Sequence, residues 1–122
     1  MTTPLHELKA EFFKTLGHPL RIRVLELLSE REHSVGELLG ETDVEASNLS
    51  QQLAVLRRAG LVVTRREGST VHYALASSQI ADLLAVARSI LTSRLTEQQH
   101  LLKTLRSDAR AARRAHVRQG AR

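Results

Sequence analysis

The chain has 122 residues, which suits one domain with a modest core, and 42% of them are hydrophobic while only 2% are aromatic. Aliphatic side chains must therefore build the core, and the absence of cysteine excludes disulfides and thiolate metal sites. The net charge of +5 is unevenly distributed along the chain. Two segments are basic: residues 46–75 hold four Lys/Arg against one Asp/Glu, and residues 106–122 hold six against one. Residues 1–45 are acidic, with five Lys/Arg against nine Asp/Glu. Basic charge concentrated in this way suits a phosphate-bearing partner, and for residues 106–122 taken alone a role in solubility explains it equally well.

The amino-terminal stretch MTTPLHELKAEF contains acidic residues and no long apolar run. A secretory signal needs an uninterrupted apolar segment, and a membrane-spanning helix needs about 20 apolar residues. We therefore expect no export signal and no membrane partner, and we expect a cytoplasmic protein.

Apolar residues at helical spacing predict four helices in the first half of the chain. The first pattern starts at Leu5, and Pro19 opens the second helix. Ser34 is suited to cap a short third helix. The fourth helix is expected over about residues 46–58, where Gly60 provides the stop signal.

After the fourth helix the apolar period changes from helical to alternating. Two β-branched segments, about residues 61–65 and 70–75, are joined by Glu67-Gly68-Ser69 and predict a β-hairpin with a basic tip. From Ser78 onward the helical period returns in a long amphipathic segment, which a break near Thr96 can interrupt.

The order of these elements predicts the fold. The second, third and fourth helices, the last two separated by a tight turn, are followed by a hairpin and another helix. This order matches the plan of a winged helix-turn-helix. The fold class is therefore mainly α with a small β-hairpin. Residues 1–105 form the expected winged helix-turn-helix domain for DNA binding and dimerisation. Residues 106–122 form a basic Arg/Ala-rich tail, which has no apolar face and is expected to be frayed or disordered.

The fourth helix has an apolar face and a polar face. At 100° per residue, Leu49, Leu53 and Leu56 fall on one side, and short amide and hydroxyl side chains fall on the other. Such side chains hydrogen-bond to base edges in the major groove, where Gln or Asn can pair with adenine. Gln52 lies nearer the apolar side and can pack instead. The predicted recognition-helix residues are Ser47, Asn48, Ser50, Gln51, Gln52 and Arg58.

Basic and hydroxyl side chains after this face suit contacts with the phosphate backbone. The expected backbone and wing contacts are Arg57, Arg65, Arg66, Ser69 and Thr70. A solvated polar face explains the helix equally well when it is taken alone. The hairpin that follows at once favours DNA binding, with double-stranded DNA as the partner.

The stretches FFKTLGHPLRIRVLELL, SVGELL and SNLSQQLAVLRRAGLVVTRREGSTVHYAL resemble the ArsR/SmtB family of bacterial winged-helix repressors over roughly residues 8–76. The resemblance is most specific from Leu53 to Leu61 and at Arg66-Glu67-Gly68 with Tyr73. It implies a homodimer in which the first and last helices pack between protomers, and repression by occupancy of an imperfect palindrome. The apolar faces of these two helices otherwise lack a partner. The expected dimer residues are Leu5, Leu8, Phe12, Ile80, Leu83, Leu84, Ala87 and Leu91.

Many members of this family sense metals, but this chain departs from their metal-binding patterns. The family's paired-cysteine element falls on Ser34 and Gly36, which cannot ligate a soft metal. The family's site on the last helix falls on Ser77, Gln79, Ile90 and Ser93. The resemblance therefore implies the metal-independent branch, with no metal and no cofactor. Glu97 and His100, which share a helix face, are the one pair that a second protomer could complete into a harder site.

The leading hypothesis is a sequence-specific dimeric repressor that binds double-stranded DNA and responds to an unidentified small-molecule or protein effector. The alternative is an architectural or largely nonspecific DNA-binding protein that uses the Arg-rich tail. A third hypothesis is a protein-interaction module that has kept the fold without the DNA role. An enzyme is not expected, because the sequence has no phosphate-binding glycine loop, no zinc-protease signature and no paired nucleophile and base.

Overall fold

The computed structural model describes residues 2–120. Residue 1 lies outside the described residues, as do residues 121–122, the last two of the expected tail. The elements in chain order are α1 (Leu5–Leu16), α2 (Pro19–Glu30), β1 (His33–Ser34), α3 (Val35–Thr42), α4 (Ala46–Arg58), β2 (Val62–Glu67), β3 (Thr70–Leu75) and α5 (Ser78–Gly120). The strands form one antiparallel sheet in the order β1-β3-β2. The predicted sequence of helices and hairpin is confirmed: α3 and α4 form the helix-turn-helix, and β2 and β3 form the wing.

Side chains and turn residues fix the helix ends where the sequence predicted them. The Nδ1 atom of His18 accepts a hydrogen bond from the backbone N–H of Leu20 at 3.2 Å, and Pro19 occupies the first turn of α2. Ser34 and Glu37 form a reciprocal capping box at the start of α3, with bonds of 3.1 and 3.0 Å. Gly60 has a φ of +77°, which lets the chain leave α4 and enter the wing without strain.

Two features of the structure differ from the sequence prediction in this region. β1 was not expected, because a strand of two residues has no periodicity to detect. It pairs His33 with Tyr73 and Ser34 with His72, which attaches the start of α3 to the wing. β2 also runs to Glu67, beyond the predicted end at residue 65, so that a two-residue turn closes the hairpin.

The core consists of aliphatic side chains, as the composition predicted. Its buried members are Leu16, Val24, Leu25, Leu27, Leu28, Leu38, Leu49, Leu53, Leu56, Leu61, Val62 and Ile80. The predicted dimer role of Ile80 needs correction, because its side chain is 7% exposed and lies in this core. Its burial already removes the apolar surface that a partner would cover.

The chain divides into two compact units between Leu84 and Ala85. The first unit holds α1 to β3 and the start of α5, and the second holds the remainder of α5. The possible break near Thr96 is not found, because α5 is one helix from Ser78 to Gly120. The fraying of residues 106–122 stays a prediction, and the structure gives residues 106–120 a helical backbone. Ala and Arg are among the strongest helix formers, so this composition supports a helix even without an apolar face. Within the described residues, none of the helices combines the length and apolar character that a membrane span requires.

The capping box at α3 makes the stability of the domain depend on pH. The pKa of Glu37 is lowered to about 2, first because its carboxylate accepts from the backbone N–H of Ser34 and then because it accepts from the Arg31 guanidinium. A carboxyl group with a depressed folded pKa stabilises the fold above its unfolded pKa, and this stabilisation disappears as the pH falls through the folded value.

We therefore predict that Glu37→Gln lowers the urea midpoint of unfolding, measured by circular dichroism, at neutral pH. The difference from the wild type should be complete above about pH 4.5, the unfolded value, and should vanish as the pH approaches about 2. Glu41→Gln in the same helix is the matched control, since the structure gives the Glu41 side chain no ion pair among the described residues. A midpoint difference for Glu37→Gln that stays constant between pH 5 and pH 2 would contradict the prediction.

Candidate DNA interface

The polar side chains of α4 lie opposite the core, as the helical spacing predicted. Leu49, Leu53 and Leu56 are buried, which fixes the rotation of α4 about its own axis. The exposed polar residues of the helix are Ser47, Asn48, Ser50, Gln51, Arg57 and Arg58. The structure therefore brings together, on one exposed face, amide, hydroxyl and guanidinium groups that can hydrogen-bond to nucleic acid.

Gln52 is the exception among the predicted recognition residues, because its side chain is only 9% exposed. Its Oε1 atom accepts a hydrogen bond from Nε of Arg21 at 2.7 Å, and its Nε2 atom donates to Oδ1 of Asn48 at 3.2 Å. Both ends of the amide are therefore used within the protein, which corrects the expectation that Gln52 contacts bases directly. Arg21 was not identified from the sequence, because it is 31 residues from Gln52 and no local pattern links the two.

An open groove runs beside the exposed face of α4. It is lined by Val35, Ser50, Leu53, Ala54, Arg57, Arg58 and Tyr73, which come from the start of α3, from α4 and from the central strand of the sheet. Two arginines therefore lie at the carboxyl end of α4, beside the wing strands. Their positive charge also interacts favourably with the negative end of the helix dipole, so the two residues have a stabilising role independent of any ligand.

The two arginines of the wing have different environments. The Arg65 guanidinium forms ion pairs with Glu32 and, at 3.1 Å, with Glu67. The hydrogen bond from Arg65 to Glu32 raises the pKa of Arg65, and the same bond lowers the pKa of Glu32. Arg66 is exposed and takes part in no ion pair among the described residues. Of the two, Arg66 is therefore the guanidinium that the protein leaves open to a ligand.

The tip of the wing is a two-residue turn formed by Gly68 and Ser69. Glu67 pairs with Thr70 across the hairpin, and Gly68 has a φ of +62°, a conformation that other residues adopt only at a cost. Ser69 and Thr70 are exposed, so the structure presents their hydroxyl groups to solvent at the end of the wing.

The residues expected at a dimer interface fall into exposed and half-buried groups. Leu5 and Leu8 of α1 are 65% and 52% exposed, and Leu91 of α5 is 57% exposed. Ala87 is exposed as well, whereas Phe12, Leu83 and Leu84 are half-buried against the core. Exposed large leucines therefore occur on α1 and, separately, on α5.

The positions at which the resemblance places metal ligands do not fit a metal. Ser34 uses its hydroxyl oxygen to cap α3, and Gly36 has no side chain. Within residues 2–120, no three or more His, Cys, Asp or Glu side chains approach one another closely enough to hold an ion. Glu97 and His100 lie on α5, and the described part of their own chain brings no third ligand to them.

Comparisons with known proteins agree with this architecture. The family model described as "Bacterial regulatory protein, arsR family" matches residues 18–64. The HTH-type transcriptional regulator Rv0081 of Mycobacterium tuberculosis is 57% identical over 109 residues, which cover 88% of this chain and 96% of that protein. The biofilm growth-associated repressor of Agrobacterium fabrum is 44% identical over 81 residues, which cover 66% of this chain and 69% of the repressor.

Solved structures give the same result. The crystal structure of Rv0081 matches with a TM-score of 0.73 and 59% identity, covering 80% of this chain and 98% of that one. The solution structure of a homodimeric winged helix-turn-helix DNA-binding domain from Mycobacterium bovis matches with a TM-score of 0.68 and 30% identity, covering 75% of this chain and 84% of that one. The chain therefore belongs to the arsR family of bacterial regulatory proteins, which are winged helix-turn-helix DNA-binding transcriptional regulators.

Proposed function

We propose that the protein is a cytoplasmic homodimeric repressor that binds an imperfect inverted repeat in double-stranded DNA and blocks transcription by occupying the promoter. The observation that carries the proposal is the exposed polar face of α4, bordered by arginines and followed directly by the wing. The relative named a biofilm growth-associated repressor supports repression as the direction of control.

Base reading is assigned to the first half of α4. An α-helix fits in the major groove of B-DNA, where each base pair presents a distinct set of hydrogen-bond donors and acceptors. Asn48 and Gln51 offer amides to these groups, and Ser47 and Ser50 offer hydroxyls. Because these four side chains are uncharged, their contacts depend on the base rather than on the net charge of the DNA.

Backbone contacts are assigned to the basic residues around this helix. Arg57 and Arg58 lie at the carboxyl end of α4, and Arg66, Ser69 and Thr70 are exposed on the wing. Guanidinium and hydroxyl groups bind phosphate oxygens without regard to sequence, and they hold a recognition helix in register. Arg65 contributes less to binding, because Glu32 and Glu67 already neutralise its charge.

Dimerisation is assigned to α1 and α5, through Leu5, Leu8 and Phe12 of the first helix and Leu83, Leu84, Ala87 and Leu91 of the last. A two-fold dimer presents two copies of α4, so its operator should be an inverted repeat with half-sites about 10 base pairs apart.

In this assignment residues 1–105 bind DNA and dimerise, and the basic residues 106–122 add affinity that is independent of sequence.

Regulation is assigned to an effector other than a divalent metal, either a small molecule or a protein. The support is chemical: Ser34 caps a helix and Gly36 has no side chain at the positions where metal-sensing relatives carry ligands. We therefore expect operator affinity to be the same with and without Zn²⁺.

The reading role of α4 predicts the effect of Gln51→Ala. Truncation of this exposed amide should weaken binding to the selected operator by about 1 to 3 kcal/mol and relax the preference at one base pair. The measurement is a fluorescence-anisotropy titration against the operator and a set of single-base variants. Equal losses on every duplex would remove Gln51 from base reading.

The different environments of the two wing arginines predict different salt dependence. Arg66→Ala should reduce the slope of log affinity against log salt by about one, because one phosphate contact is lost on every sequence. Arg65→Ala is the matched comparison on the same strand, and it should change the slope by clearly less. An Arg65→Ala slope change as large as that of Arg66→Ala would contradict this division of roles.

A further inference from the structure

We infer that Arg21 and Gln52 are positioning residues that set which base Asn48 can recognise, by holding its side-chain amide with the NH₂ group directed outward. The inference deepens the proposed DNA-reading function of α4 and rests on it. The structure connects these three residues in one hydrogen-bonded chain that begins at α1 and ends at the exposed side of α4.

The direction of every bond in this chain follows from chemistry. A guanidinium group has only donors, so Arg21 can bond to Gln52 only through the carbonyl oxygen of the amide. The amide nitrogen of Gln52 must then point the other way, toward Asn48, where it needs an acceptor. Asn48 consequently turns its Oδ1 atom toward Gln52, at 3.2 Å.

The guanidinium group that starts this chain is itself fixed. Its Nη1 atom donates to the backbone oxygen of Thr15 at 3.1 Å, in the last turn of α1, while its Nε atom donates to Gln52. Because Gln52 is largely buried, its amide loses hydrogen-bonding with water and depends on Arg21 and Asn48 as partners. Reversal of the Gln52 amide would place its NH₂ group against the donors of Arg21, which is unfavourable.

The consequence for Asn48 is a restricted choice of base. An unconstrained Asn can turn either end of its amide toward the DNA and pair with both N6 and N7 of adenine. Here the hydrogen bond from Gln52 turns Oδ1 toward the protein, so the NH₂ group is the end of the side chain that is directed outward and offers N–H donors. These suit guanine, which presents two acceptors, O6 and N7, and do not suit cytosine, which presents an amino donor.

The test is Gln52→Glu, which changes one NH₂ group into an oxygen. The carboxylate introduced beside Arg21 stays ionised and only accepts hydrogen bonds, so Asn48 must rotate its amide to donate to it and must turn Oδ1 outward. In the wild type we expect about tenfold preference for guanine over cytosine at the base that Asn48 contacts. In the variant we expect this preference to reverse toward cytosine.

Three further variants complete the experiment, in which the full-length dimer is titrated with the selected operator and its single-base variants. Asn48→Ala identifies the base pair that Asn48 reads, and the double variant Asn48→Ala with Gln52→Glu should show no reversal there. Gln52→Met, an apolar replacement of similar size, should abolish the preference without reversing it.

The outcomes separate this inference from the function on which it rests. If Gln52→Glu and Gln52→Met keep the wild-type preference, or lose affinity equally on all duplexes, the inference is overturned while base reading by α4 stands. A wild type with base preferences that Asn48→Ala leaves unchanged also overturns the inference alone. A wild type that selects no duplex would contradict the proposed function itself.

Discussion

The leucine stripe of α4 is the constraint on which the other features of the molecule depend. Leu49, Leu53 and Leu56 are buried against the rest of the domain, and α4 packs on α2. A helix that buries one face in this way must expose the opposite one, so the positions of Asn48 and Gln51 follow from the packing of the leucines. The wing adjoins this helix because Gly60 turns the chain directly from α4 into β2.

Neighbouring residues of the same type have different roles because their tertiary contacts differ. Gln51 is exposed, whereas Gln52 is buried between Arg21 and Asn48. Arg66 is open, whereas Arg65 is held by two carboxylates. In both pairs one side chain is held by contacts within the protein and the other is exposed. Buried polar groups with satisfied hydrogen bonds are well suited to such positioning, because each bond limits the orientation of the next group.

Most of the architecture could be predicted from local patterns. Ser34 as a helix cap, Pro19 as a helix start and the exposed face of α4 all follow from short-range spacing, and the structure has each of them. The ion pair of Glu32 with Arg65 could not be predicted, because it joins residues far apart in the chain. The burial of Ile80 was missed for a related reason: helical periodicity identifies an apolar face but not whether the face packs within the chain or on a partner.

The central claim is that α4 reads a specific sequence as part of a dimer, and selection of genomic DNA fragments by the purified protein tests it most directly. The enriched duplex should be titrated at two salt concentrations, with and without Zn²⁺, and the number of protomers bound should be measured by analytical ultracentrifugation. The account predicts an enriched inverted repeat that binds two protomers and is indifferent to zinc. No enrichment, together with steep salt dependence on every duplex, would contradict it, because the arginines would then bind DNA without any reading by α4.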